Sequence, residues 1–290
     1  MSNSILVHYR TEAVDDVDVF YREAGSPDAP AILLLHGFPS SSHMFRDLMP
    51  RLADDYRVIA PDLPGFGSTV VGEASDYRFT FDRLAETIAA FTDAIGLDRF
   101  ALYVFDYGAP VGFRIAAAQP ERITAIVTQN GNAYDEGLTD AWAPIRAYWE
   151  TSSTENRDAL RPLLAPDTTR WQYTEGVPAE LQSRVSPDAP AHDQAILDRD
   201  NELQLDLFLD YRSNVARYPE WQAYLRTQRP PVLAIWGQND PFFGPAGAEA
   251  FRRDVPDAEV AFLDTGHFAL ETHGVEIADR IRRFLANALN

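Results

Sequence analysis

The stretch Phe100-Ala-Leu-Tyr-Val-Phe-Asp106-Tyr-Gly-Ala-Pro-Val-Gly-Phe-Arg-Ile-Ala116 sets one acidic residue between two apolar patterns of different period. Phe100 to Phe105 is a run of β-type residues. After Tyr107-Gly108-Ala109, apolar and small residues recur at helical spacing through Val111 and Ile115. The pattern predicts a strand, a sharp turn and a helix. Gly108 and Ala109 leave room for the turn, and Pro110 suits the first helical turn, where its missing N–H costs nothing. Asp106 is then held at the tip, facing N–H groups of a helix N-terminus that favour its ionised form. A carboxylate placed in this way can attack a saturated carbon and become an alkyl ester.

This arrangement resembles the nucleophile elbow of the α/β-hydrolase fold, usually Gly-x-Ser-x-Gly, with Asp106 in the place of serine; no Gly-x-Ser-x-Gly occurs in the chain. With an acidic nucleophile it is similar to the branch that holds haloalkane dehalogenases, fluoroacetate dehalogenases and epoxide hydrolases. The resemblance implies a chain order of nucleophile, acid, histidine. An ester on Asp106 is a dead end without a base, and His267 in Leu263-Asp-Thr-Gly-His267 has the position and order for one. Asp240, in Trp236-Gly-Gln-Asn-Asp240-Pro-Phe-Phe243, would fix its tautomer. The other place where these families carry the acid is occupied by Gln129-Asn130, which bear no charge, and Asp264 is read as structural. The resemblance further implies an oxyanion hole from the backbone N–H groups of Phe38 and Tyr107, with His36, Pro39 and Trp171 around the substrate pocket.

The leaving group divides these relatives. Haloalkane dehalogenases hold the halide with a Trp directly after the nucleophile, together with an Asn or a second Trp; the first two of those positions are Tyr107 and Phe38 here. Fluoroacetate dehalogenases place Arg directly after the nucleophile and again three residues later, where this chain has Tyr107 and Pro110, with Arg114 a helical turn further on. Epoxide hydrolases use two tyrosines as ring-opening acids. Tyr211 in Leu209-Asp-Tyr211-Arg-Ser-Asn214 resembles their Tyr-Arg-Asn string, and Tyr173 in Trp171-Gln-Tyr173 matches the other by position. The expectation is therefore an epoxide hydrolase for small hydrophobic substrates, with Tyr173 and Tyr211 as acids. Dehalogenation with the same triad, Trp171 helping to hold the halide, is the alternative. A non-catalytic binding protein that keeps the pocket is a second alternative.

Composition narrows the classes further. Among 290 residues there are 25 basic ones, all Arg, against 44 acidic, a net charge of −19, which disfavours nucleic acid and anionic membrane as partners. Hydrophobic content of 46% excludes a disordered chain, and the absence of Cys excludes disulfides, thiolate metal sites and a cysteine nucleophile. No His-Glu-x-x-His, EF-hand or Walker string is present, so neither metal nor cofactor is expected. The first residues lack a basic stretch followed by an apolar run, and the expectation is a cytoplasmic protein, monomer or homodimer.

The elements that must carry these residues follow from period and length. Strands are predicted at Ile5 to Tyr9, around Val17 to Tyr21, and at Ala31–Leu35, Arg57–Ala60, Phe100–Phe105 and Ile123–Thr128, with helices through Phe45 to Leu52 and Leu84 to Ile95. From 133 to 226 no buried-strand signal occurs, only helical fragments rich in Trp and Tyr and broken by proline. Strands return at Pro231–Gly237 and Glu259–Leu263, with helices at Ala246–Arg253 and from Val275. The expected organisation is an α/β-hydrolase core, 1–132 and 227–290, with a mostly parallel sheet flanked by helices and a helical cap inserted at 133–226.

Overall fold

The computed structural model describes residues 6–289; Ile5, where the first predicted strand begins, lies outside them. Nine strands occur among the described residues: β1 (His8–Val14), β2 (Val17–Ala24), β3 (Ala31–Leu35), β4 (Arg57–Pro61), β5 (Val70–Val71), β6 (Phe100–Phe105), β7 (Ile123–Gln129), β8 (Val232–Gly237) and β9 (Glu259–Leu263). They form one sheet in the order β1-β2-β4-β3-β6-β7-β8-β9, with β5 paired to β2 off that path. β2 is antiparallel to both β1 and β4, and every pair from β4 to β9 is parallel. The continuous apolar runs of β6 and β8 are buried along their whole length, as a strand covered on both faces requires.

The helices are α1 (Met49–Leu52), α2 (Phe81–Ala94), α3 (Gly108–Ala118), α4 (Ala143–Glu150), α5 (Thr154–Asp158), α6 (Pro166–Thr174), α7 (Asp188–Leu197), α8 (Asn201–Gln228), α9 (Pro245–Asp254) and α10 (Ala269–Ala288). Alternate residues of β6 feed two cores. Phe100, Leu102 and Val104 join the side chains of α2, α3, α8 and α9, whereas Ala101, Tyr103 and Phe105 join those of α1 and α10. No helix among the described residues is long and apolar enough to cross a membrane.

Register fixes where the loops emerge. Phe105 lies opposite Gln129, Gln129 opposite Ile235, and Gly237 opposite Leu263. The residues that follow β6, β7, β8 and β9 therefore leave the sheet along one edge. The helices α4 to α8 between β7 and β8 include no named strand; a single bridge, Leu138 to Phe243, ties their start to the loop after β8. Arg114 on α3 is buried and binds Asp82 on α2 at 2.6 Å and, on α8, Asn214 at 2.6 Å and Ser213 at 3.0 Å, so one guanidinium joins α2 and α3 to α8.

Three predicted elements differ. The helix through Phe45 to Leu52 is a 3-10 turn, Ser42–Phe45, followed by the short α1, because Pro50 within the run has no N–H to continue the ladder. The terminal helix starts at Ala269 rather than Val275 and is interrupted at His273, whose φ of −125° and ψ of 20° are not helical. The first strand runs later than predicted, His8–Val14, because its pairing with β2 continues to the tight Asp15-Asp16 turn.

Candidate active site

Asp106 follows β6 with a φ of 46°, the left-handed region that L-residues other than Asn and Asp avoid. That turn tolerates little bulk nearby. A Cβ at Gly37 would come within 2.2 Å of Asp106 Oδ1, and one at Gly108 within 2.2 Å of the Leu35 carbonyl. The close approach has a product: the N–H groups of Phe38 and Tyr107 both donate to Asp106 Oδ1, each at 2.6 Å. The other oxygen, Oδ2, stands 4.0 Å from His267 Nε2. Burial pushes the Asp106 carboxyl up to about 6, against the opposing pull of His267 and the two N–H groups.

His267 leaves β9 and is 1% exposed. Its Nδ1 lies 2.6 Å from Asp240 Oδ2, which leaves Nε2 facing Asp106. Burial lowers the histidine's pKa, but the charge and hydrogen bond of Asp240, with Asp106 beyond, outweigh it and leave the ring above its ordinary value. Asp240 is itself held: Phe242 N–H donates to Oδ1 at 2.7 Å and Asn130 Nδ2 to Oδ2 at 2.7 Å. Asn130 follows β7 with a φ of 46° and accepts from Gly237 N–H at 2.9 Å. Gln129, beside it, donates to the His267 carbonyl at 3.2 Å and accepts from the Tyr103 hydroxyl. Thus the uncharged pair Gln129-Asn130 acts as a brace for both the acid and the histidine loop, a role that sequence reasoning did not assign.

Asp106 and His267 open onto a cavity of about 30 Å³ lined by Phe38, Tyr107, Trp142, Ile145, Leu163, Gln172, Phe208, Phe242 and Phe243. That volume holds roughly two waters. The predicted pocket residues fare unevenly. His36 is fully buried and does not line this cavity: Nε2 accepts from Leu63 N–H at 2.9 Å and Nδ1 lies 3.1 Å from the Gly37 carbonyl. Burial lowers its pKa, and its work is to hold the loop. Pro39 is also outside the lining, and Trp171 is 39% exposed with its ring edge against Phe242. The lining residue of that helix is Gln172.

Neither predicted cap tyrosine lines the cavity. Tyr173 stacks on Phe268 at 3.8 Å and its hydroxyl donates to the buried carboxylate of Asp193 on α7. That bond engages with Asp193 the hydroxyl expected to open a substrate ring. Tyr211 is fully buried among Phe81, Tyr107, Trp142 and Trp149, and its hydroxyl has no hydrogen-bond partner. Burial raises both phenols well above their ordinary value, with Asp193 adding to Tyr173 and Tyr218 to Tyr211. The missed lining residues, Trp142, Ile145, Leu163 and Phe208, lie in the helical fragments, where sequence gives a period but not the face that turns inward.

The family model described as alpha/beta hydrolase fold matches residues 30–274, and the chain belongs to that family. It is a hydrolase by this kinship and by its relatives: it is 49% identical to the uncharacterized hydrolase YNR064C of Saccharomyces cerevisiae over 97% of this chain and 98% of that one. A haloalkane dehalogenase of Mycobacterium marinum is 32% identical over 94% of this chain and 92% of its own. A provisionally named epoxide hydrolase of Pseudomonas aeruginosa superposes with a TM-score of 0.77 over 99% of this chain and 98% of that one, at 22% identity, a likeness of fold alone.

Proposed function

We propose that the chain hydrolyses small neutral molecules bearing a leaving group on a saturated carbon, through an ester with Asp106, and that the helices inserted at 133–226 act as its cap. The observation that carries this reading is the division of labour within one carboxylate: Oδ1 is fixed by two N–H groups while Oδ2 is left free in an apolar cavity beside His267. Oδ2 attacks the carbon as the leaving group departs with the bonding electrons. The ester carbonyl oxygen is then Oδ1, already in contact with the N–H pair that will stabilise it as an oxyanion. Water attacks Cγ while His267 Nε2 takes its proton and Asp240 steadies the imidazolium. Collapse releases the alcohol and restores the carboxylate. With Arg114 engaged by Asp82, Asn214 and Ser213, no arginine lines the cavity among the described residues, which supports a neutral substrate over a carboxylate-bearing one.

Halide displacement is the leaving-group chemistry that the cavity favours. Epoxide opening creates an alkoxide that must be protonated, and neither Tyr173, whose hydroxyl binds Asp193, nor the fully buried Tyr211 lines the cavity. The kinship with haloalkane dehalogenases at 32% identity supports the same reading. Epoxide opening is the second reading, favoured by the ring of Tyr211 lying 5.8 Å from that of Tyr107, next to the nucleophile.

Replacing His267 with Gln removes the base and leaves the nucleophile. Incubated with short haloalkanes or terminal epoxides, the variant is expected to accumulate an adduct on the peptide holding Asp106, with turnover reduced by roughly 10²–10⁴. A mass equal to the substrate less hydrogen halide identifies a dehalogenase, and the whole epoxide an epoxide hydrolase. No adduct from either series would overturn the ester mechanism.

A further inference from the structure

Trp171, Gln172 and Tyr173 are consecutive on α6, so their side chains point about 100° apart, and it is Gln172 that turns to the nucleophile. Gln172 is 3% exposed and lines the cavity with Asp106 and His267, yet its amide forms no hydrogen bond with any other protein group among the described residues. Its buried neighbours on the helix do: Thr169 donates to Gln194 at 2.6 Å and Tyr173 binds Asp193. An unpartnered amide in an apolar wall is unfavourable unless a ligand pairs with it. A catalytic site is where such a cost is repaid by a ligand.

The other donors at the cavity are already committed. Trp142 Nε1 donates to the Phe242 carbonyl at 2.9 Å, the Phe38 and Tyr107 amides serve Asp106, and the Phe242 amide serves Asp240. The Tyr107 hydroxyl has no partner either, but it is sealed within the packing. The remaining lining residues bring Phe, Leu and Ile side chains. From this we infer that the Gln172 side-chain N–H groups hold the departing halide as the bond between carbon and Asp106 Oδ2 forms. The inference rests on the halide reading above. The carbon–halogen electron pair leaves with the halide, which accepts a hydrogen bond and takes no proton, so an amide that cannot act as an acid suffices. A weakly basic anion in an aromatic pocket without a cation needs only such a donor, and the neutral amide imposes no charge on the resting site.

The test isolates the alkylation step. In the His267→Gln background, single-turnover esterification of Asp106 is followed by mass for the chloride, bromide and iodide of one short alkyl chain, with Gln172 intact or changed to Met, which keeps the shape without the N–H. The expected result is slowing by roughly 10–100-fold for the chloride and progressively less for the bromide and iodide, because hydrogen-bond acceptance weakens in that order. Gln172→Glu, which sets a carboxylate where the halide leaves, is expected to be at least as slow as Met. Bromide titrated into the enzyme is expected to quench the fluorescence of Trp142 with Gln172 present and to lose that effect in the Met variant. Equal rates with Gln and Met, or equal slowing for all three halides with unchanged bromide quenching, would overturn the role of Gln172 while the ester mechanism stood. Absence of any halide adduct when Gln172 is intact would instead overturn the halide reading and this inference with it.

Discussion

Asp106 and His267, with Asp240 behind the histidine, stand on one side of the cavity and Trp142, Gln172 and Phe208 on the other, and the two sides treat their polar atoms differently. On the sheet side, both Asp106 Oδ1 and the two oxygens of Asp240 have defined donors, and Asn130, Gln129 and His36 each use both their donor and acceptor atoms. On the inserted side, α8 alone buries Asn201 Oδ1, Gln204 Oε1, the Tyr211 hydroxyl, Asn214 Nδ2, Trp221 Nε1 and the Tyr224 hydroxyl without partners. Aromatic packing around Tyr211 and the Arg114 bonds seat that helix instead. The difference teaches what each wall is for. The displacement and ester hydrolysis proposed above would demand atoms fixed to within about 0.5 Å, which hydrogen bonds from the ends of adjacent strands supply. Choosing a small apolar substrate demands shape, which packing supplies.

The sharpest break of the comparison is Asp106→Asn, expected to abolish adduct formation altogether. It is also expected to stabilise the fold. Folded Asp106 holds its proton up to about 6 against an ordinary 3.8, so the native state binds more protons between those values and the parent loses stability as pH rises through that window. The variant lacks that loss, and its advantage in urea or thermal unfolding is expected to be on the order of 1–3 kcal/mol above pH 7 and to shrink towards pH 4. By the same titration, single-turnover alkylation by the parent is expected to fall as pH drops through about 6. A pH-independent stability difference would show that burial does not raise this carboxyl.

A smaller effect tests the brace. Asn130→Gly keeps the left-handed backbone and removes the donor to Asp240, so ester hydrolysis is expected to slow by roughly tenfold while alkylation stays at the parental rate, resolved by rapid-quench kinetics. Smallest is Tyr211→Phe on the inserted side, expected to leave turnover of haloalkanes within about twofold, since its buried ring does not line the cavity. A large loss restricted to epoxides would return Tyr211 to the role of a ring-opening acid.

The same contrast explains what could be read in advance. β3, β6 and β9 match their predicted bounds, because a short apolar run between turn residues allows few alternatives. That Asp106, Asp240 and His267 would meet was legible in the order in which they follow strands, because parallel register brings them to one edge. The inserted wall was not. Along Trp171-Gln172-Tyr173 the aromatic residues drew the assignment, yet which of three adjacent side chains faces Asp106 depends on how α6 is rotated, and the bond from Tyr173 to Asp193 on α7 helps to set that rotation. A helical period has no origin until a tertiary contact supplies one.

The unequal oxygens of Asp106 have a consequence for the identity of the protein's own atoms. In the proposed cycle the alcohol departs with the oxygen that was Oδ2, and solvent provides its replacement, while Oδ1 never leaves the two amides that hold it. One half of this side chain is a permanent fixture and the other is reagent, renewed from water at every turn. On that cycle, an enzyme molecule that has worked once carries one atom of its surroundings at the centre of its chemistry, and its first product carries one atom of the polypeptide away.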